Sequence, residues 1–157
     1  MYPDFKELLS VLNAHNVKYL VVGAYAVSIY AQPRATKDMD ILVKPDAGNA
    51  EGGLCCADAV RNAAAGCNAF RLRRKRPVFR MGREPVAVDI MTEIPGVDFD
   101  AAWERRVEEI VDAASGLKAT FISREDLIAA KVASGRLQDL ADVDAIQKAI
   151  ESQGPSR

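Results

Sequence analysis

Histidine is almost missing from this sequence: His15 is the only one in 157 residues. Cysteine is scarce as well. Cys55, Cys56 and Cys67 form an odd set, two of them adjacent, with no Cys-x-x-Cys pair and no partner histidine. These shortages argue against a disulfide framework and against a zinc site, and they fit a reducing cytoplasm. His15 falls on the first predicted helix and reads as a partly exposed surface residue. Neither sign of charge is in excess: 21 Lys and Arg stand against 22 Asp and Glu, a net charge of -1. No global field draws the chain to nucleic acid or to an acidic membrane, so such contact needs a local patch. Long apolar runs are absent too, and the short ones are broken by charge, so no membrane span or signal peptide is read.

What is present suits one folded domain. The chain is 49% hydrophobic, enough for a core, and shows no internal repeat and no dividing linker. Residues 1–150 are expected to form that domain and 151–157 a disordered tail. Asp4 reads as the N-cap of a helix carrying Phe5, Leu8, Leu9 and Leu12 at helical spacing, with a stop at Asn16. Val17 to Val22 reads as a buried strand broken by Gly23. Ala24 to Tyr30 reads as a short helix ended by Pro33. Asp38 to Val43 and Pro85 to Met91 are further strands, with a helical turn near 99–105. Val107–Val111 and Lys118–Ile122 pair around a Ser115-Gly116 turn. Ser123 and Asp126 open a helix in capping-box fashion, Gly135 closes it, and a last helix spans about 137–150. For residues 50–65 only alanine content argues helix.

The stretch VVGAYAVSIYAQPRATKDMDILV (21–43) holds the most chemistry. Strand alternation puts Asp38 and Asp40 on one face, about 6.5 to 7 Å apart at Cα, and Met39 and Ile41 on the other. Two carboxylates so placed repel unless a cation or a donor lies between them. Magnesium suits the gap, being held by one or two carboxylates plus substrate phosphates. A pair of such ions clamps the attacking and leaving oxygens of a phosphoryl transfer. The plainer reading is a solvated strand end or a turn cap. Two features favour the metal. Gly23, between strand and helix, allows close approach of phosphate to helix N–H groups. Asp89, in VAVDIMT, is a lone acid in an apolar strand, costly unless paired or exposed at a site.

These residues resemble the core motif of the nucleotidyltransferase superfamily related to DNA polymerase beta: strand, small-residue turn, short helix, then Asp-x-Asp on the next strand. Arg34-x-Thr36-x-Asp38-x-Asp40 is similar to the variant in small members, including minimal nucleotidyltransferases and the type IV toxin–antitoxin group. Lys131-x-x-x-Gly135-Arg136-x-x-Asp139-Leu-x-Asp142 resembles their C-terminal Lys…Asp motif. The resemblance covers roughly residues 4–46 and 78–148. It implies an α/β (α+β) fold, with a small mixed sheet, helices mainly on one face and a C-terminal helical pair. It implies Mg²⁺-dependent transfer of a nucleoside monophosphate from an NTP to an acceptor hydroxyl on protein, RNA or a small molecule. Asp38, Asp40 and Asp89 would be the catalytic and metal-holding carboxylates, with two Mg²⁺ ions, and Asp89 the general base. Gly23, Ala24, Arg34, Thr36, Lys37, Lys131 and Asp142 would meet the nucleotide. Other readings stay open: Arg34 and Thr36 as loop-fixing residues, and Lys131, Asp139 and Asp142 as surface helix pairs and caps.

Two departures set limits. Ala24 stands where the family has Gly or Ser, which removes a hydroxyl but keeps the backbone N–H. Residues 51–76 lack the family's amphipathic helix and strand, and their Cys pair and Arg run resemble a GC-rich gene translated in a shifted frame, resuming near Phe79. The basic run Arg71–Arg76 has a nucleic-acid reading too, weakened by the lack of interleaved aromatics. The rival function is a non-catalytic or antitoxin-type interaction protein with a small helical partner.

Overall fold

In the computed structural model the described residues are 1–46, 48–49, 79–83 and 86–153. The expected helix at 50–65, the three cysteines, the Arg71–Arg76 run, the frame-shift reading of 51–76 and the end of the tail lie outside them.

The first helix, α1 (Pro3–Ala14), starts two residues earlier than expected. Tyr2 is its N-cap, proline opens it, and Asp4 sits in the first turn rather than capping. Proline at the first helical position loses nothing, because that N–H has no helical partner, and Asp4 there favours the helix dipole. Asn16, at φ 52°, ends α1 by turning the chain left-handed. The amides of Asn16 and Val17 then bond the carbonyls of Asn13 and Leu12, at 3.0 Å each, in a Schellman closure. That closure uses the Val17 amide, so strand β1 begins only at Tyr19 (Tyr19–Val22).

After β1 come α2 (Gly23–Tyr30), β2 (Asp38–Val43), β3 (Phe79–Arg83), β4 (Val86–Met91), α3 (Phe99–Glu104), β5 (Val107–Asp112), β6 (Leu117–Phe121), α4 (Arg124–Ser134) and α5 (Leu137–Gln153). Strand β3 was not expected, because its sequence read as the end of a basic run. It pairs antiparallel with β4 at the margin of the sheet, where charged residues are tolerated and discourage further pairing.

The six strands form one mixed sheet in the order β3-β4-β2-β1-β6-β5. β2 runs antiparallel to β1 and parallel to β4, and β1 runs parallel to β6. β1 is buried at all four positions, which accounts for its unbroken apolar sequence. One hydrophobic cluster joins α1 (Phe5, Leu9), β1, β2 (Met39, Ile41), α3 (Phe99, Ala102), α4 (Leu127) and α5 (Ile146). Each large apolar side chain fully buried there contributes about 1.5–3 kcal/mol. As expected, α4 and α5 form a C-terminal helical pair. Ser123 caps α4, its Oγ accepting from the Asp126 amide. The Asp126 carboxylate accepts the Ser123 hydroxyl and the Arg105 guanidinium.

Candidate active site

The sheet order brings the separated acids together. β2 lies between β4 and β1, and Asp40 stands directly opposite Asp89 in the β2–β4 register. Arg80 stands opposite Asp89 in the β3–β4 register. One row across three strands therefore reads Arg80, Asp89, Asp40, and register partners share a face. Asp38 joins that face from two residues away, while Met39 and Ile41 are fully buried on the other side. β2 is an interior strand, so the pair is not on a sheet edge, while Asp38, the first residue of β2, keeps a side chain 42% exposed.

Gly23 has φ +64°, and a Cβ placed on it would overlap the Asp40 carboxylate. Both facts require glycine: the left-handed conformation is strained for other residues, and Asp40 occupies the space a side chain would need. Asp40 thus packs on the turn where β1 becomes α2. Its carboxyl is pushed up to about 6, first by burial and then by the nearby charges of Asp89 and Asp38. The Asp89 Oδ1 atom is buried and accepts no hydrogen bond among the described residues; Arg80 Nε is 3.9 Å from it. Arg80 Nη2 donates to Asp38 Oδ1 at 3.1 Å.

These acids form one wall of a cleft of about 290 Å³. Gly23 and Ala24 line it too, with the apolar Met91, Ile94 and Pro95, the cations Arg34, Lys131 and Arg136, and the polar Thr36, Ser134 and Gln138. Of the residues singled out in the sequence, the cleft collects Asp38, Asp40, Asp89, Gly23, Ala24, Arg34, Thr36 and Lys131. Lys37 is exposed and lies outside its lining. Asp142 is 3% exposed and stands behind the lining, gripping two of the cations. Its carboxylate accepts from Arg34 Nε (2.9 Å) and Nη2 (3.1 Å) and from Lys131 Nζ (2.7 Å). Lys131 also donates to Asp139 at 2.9 Å, and Arg136 pairs with Asp139 at 3.0 Å.

Lys131 and Asp142 are buried, so surface helix pairing does not describe them. Burial by itself would raise the carboxyls of Asp142 and Asp139, yet the hydrogen bonds from Arg34 and Lys131 to one, and from Lys131 and Ser134 to the other, hold both below the usual range. Three cations against two carboxylates leave this wall positive. Thr36 donates to the Asp38 carbonyl at 3.1 Å, and with the Arg34–Asp142 pair it fixes the loop before β2, as the loop-fixing reading expects.

The donor set fits a divalent oxygen-loving cation: hard carboxylates, a buried oxygen without a donor, and mutual crowding that raises Asp40. Convergence is incomplete, however. Among the described residues no three acidic, thiol or imidazole side chains are grouped so as to hold one ion. Backbone register places the acids on one face, and Asp38 is paired with Arg80. Arg80, Arg136 and the apolar side escaped functional notice in the sequence. Arg80 follows a basic run whose functional reading is nucleic-acid contact, and the apolar residues carry no motif.

A family described as "Nucleotidyltransferase of unknown function (DUF6036)" matches residues 4–151. A solved structure, described as an antigenic nucleotidyltransferase-like protein from Paracoccidioides brasiliensis, is similar with 17% identity and a TM-score of 0.51. The match covers 93% of this chain and 77% of that one, and at this identity the likeness is one of fold. No curated protein matches. No described helix is long and apolar enough to cross a membrane.

Proposed function

The chain belongs to the nucleotidyltransferases of unknown function (DUF6036), and from that premise we propose that the cleft transfers a nucleoside monophosphate from an NTP to an acceptor hydroxyl. The observation that carries this reading is the Asp40–Asp89 register pair, with Asp38 on the same face and Gly23 pressed against Asp40.

Asp38, Asp40 and Asp89 would hold Mg²⁺, which neutralises developing phosphate charge and aligns the reacting groups. Asp89 accepts the acceptor's hydroxyl proton, a role supported by its buried Oδ1, which accepts no hydrogen bond among the described residues. The acceptor oxygen bonds to the α-phosphorus, the bond to the α,β-bridging oxygen breaks, and pyrophosphate leaves. The Gly23–Ala24 turn opens α2 beneath the cleft and offers backbone N–H groups to phosphate. Arg34, Lys131 and Arg136 supply the positive wall for the triphosphate. Asp142 positions Arg34 and Lys131 rather than touching substrate. Positioning and charge neutralisation account for most of the catalysis such a transfer needs.

The test is label transfer from α-labelled NTPs with Mg²⁺, offered protein, RNA and small-molecule acceptors from a lysate. The wild type should label an acceptor, and D38A/D40A should label none. Equal labelling by the double variant would sink the assignment. A second reading, an interaction protein with a small helical partner, draws support from Leu137 and Leu140, exposed at 88% and 44% one turn apart on α5. Capture of a partner by a wild type that transfers no label would favour it.

A further inference from the structure

Arg80 occupies a singular place. It lies on the sheet's outer strand, on the same cross-strand row as Asp89 and Asp40. Its guanidinium donates to Asp38 Oδ1 at 3.1 Å and stands 3.9 Å from Asp89 Oδ1. One cation thus spans two of the three acids assigned to metal. The Asp38 oxygen that accepts from Arg80 is one a metal ion would need. The Arg80 side chain is 55% exposed, so it can leave without opening the core. A guanidinium cannot give up its charge, so it yields these carboxylates only by moving.

We propose that Arg80 is a built-in counter-ion that competes with the divalent cation for Asp38 and Asp89, and must swing off them for the metal to bind. The inference rests on the carboxylate reading given under Proposed function. In the metal-free protein Arg80 relieves repulsion in the acidic row. On metal entry the guanidinium is released at the rim of the cleft. Arg80 therefore sets the divalent concentration at which the site fills, and is a positioning residue rather than a catalytic one.

The test uses Mn²⁺ alone as the probe, with free Mn²⁺ followed by electron paramagnetic resonance in the full-length chain. Removing a competing, partly exposed cation should tighten binding in R80Q by about three- to tenfold. R80K keeps the charge but loses the fork and should fall between the two. R124Q removes a partly exposed charge that pairs with Glu125 and lies outside the cleft lining, and should change affinity by less than about twofold. Binding by R80Q no tighter than wild type, or equal tightening in R124Q, overturns the proposal alone. Failure of both wild type and R80Q to bind Mn²⁺ overturns the carboxylate reading and this proposal with it.

Discussion

At the scale of single residues, Gly23 and Asp40 are the pair on which the site turns. Gly23 carries a left-handed backbone and leaves the space that the Asp40 carboxylate fills. Gly23→Ala adds strain at φ > 0 and displaces that carboxylate. Urea denaturation should show a loss of about 1–3 kcal/mol, and NTP binding should fall below detection. An unchanged midpoint with intact binding would show that the turn relaxes freely. The sequence made this pair legible because a glycine between strand and helix and an i, i+2 acid pair are local signals. It hid Arg80, whose partner Asp38 is 42 positions away and is reached only through strand order.

Among elements, the loop between α2 and β2 and the α4–α5 pair behave as one unit. Asp142 ties Arg34 of the loop to Lys131 of α4. Removing a buried partner strands the opposite charge, the costliest way to break such a network. Asp142→Ala should cost about 2–4 kcal/mol in thermal or urea unfolding, discounted because Arg34 is partly exposed and Lys131 keeps Asp139. Adding Lys131→Met to Asp142→Ala should restore part of that loss, since no buried charge then remains unpaired. A further loss on adding it would contradict the network reading. The helices and most strands were readable from period and punctuation: Leu and Phe at helical spacing, Pro33 and Gly135 as stops. The start of α1, the start of β1 and strand β3 were not. Val17 gave its amide to the end of α1, a hydrogen bond that residue propensity does not reveal. β3 is a strand through pairing with β4, and its composition signals charge before extension.

For the whole molecule, opposing groups of acids set the response to pH. Asp126 is held below the usual carboxylate range by its hydrogen bond from Arg105, and Asp139 and Asp142 are lowered despite burial. Their stabilisation is present above about pH 4 and is lost as pH falls through their lowered values. Asp40 acts the other way. Its raised value means the folded state holds a proton that the unfolded chain has released, so its penalty grows from about pH 4 to about 6 and persists above. The metal-free protein should therefore be most stable near about pH 4–5. Asp40→Asn should flatten the neutral limb and raise stability at pH 7 by roughly 1–2 kcal/mol while removing metal binding. Melting curves across pH check this, and an Asp40→Asn variant less stable than wild type at pH 7 would oppose it.

The central claim is that backbone register gathers Asp38, Asp40 and Asp89 to hold a divalent cation against a triphosphate. The most direct measurement is anomalous diffraction at the manganese edge from crystals of the protein with Mn²⁺ and a non-hydrolysable NTP. The account predicts an anomalous peak ligated by at least two of those carboxylates and by phosphate oxygens, with Arg80 turned away from Asp38. A bound triphosphate with no peak among them, or with manganese elsewhere, would contradict it.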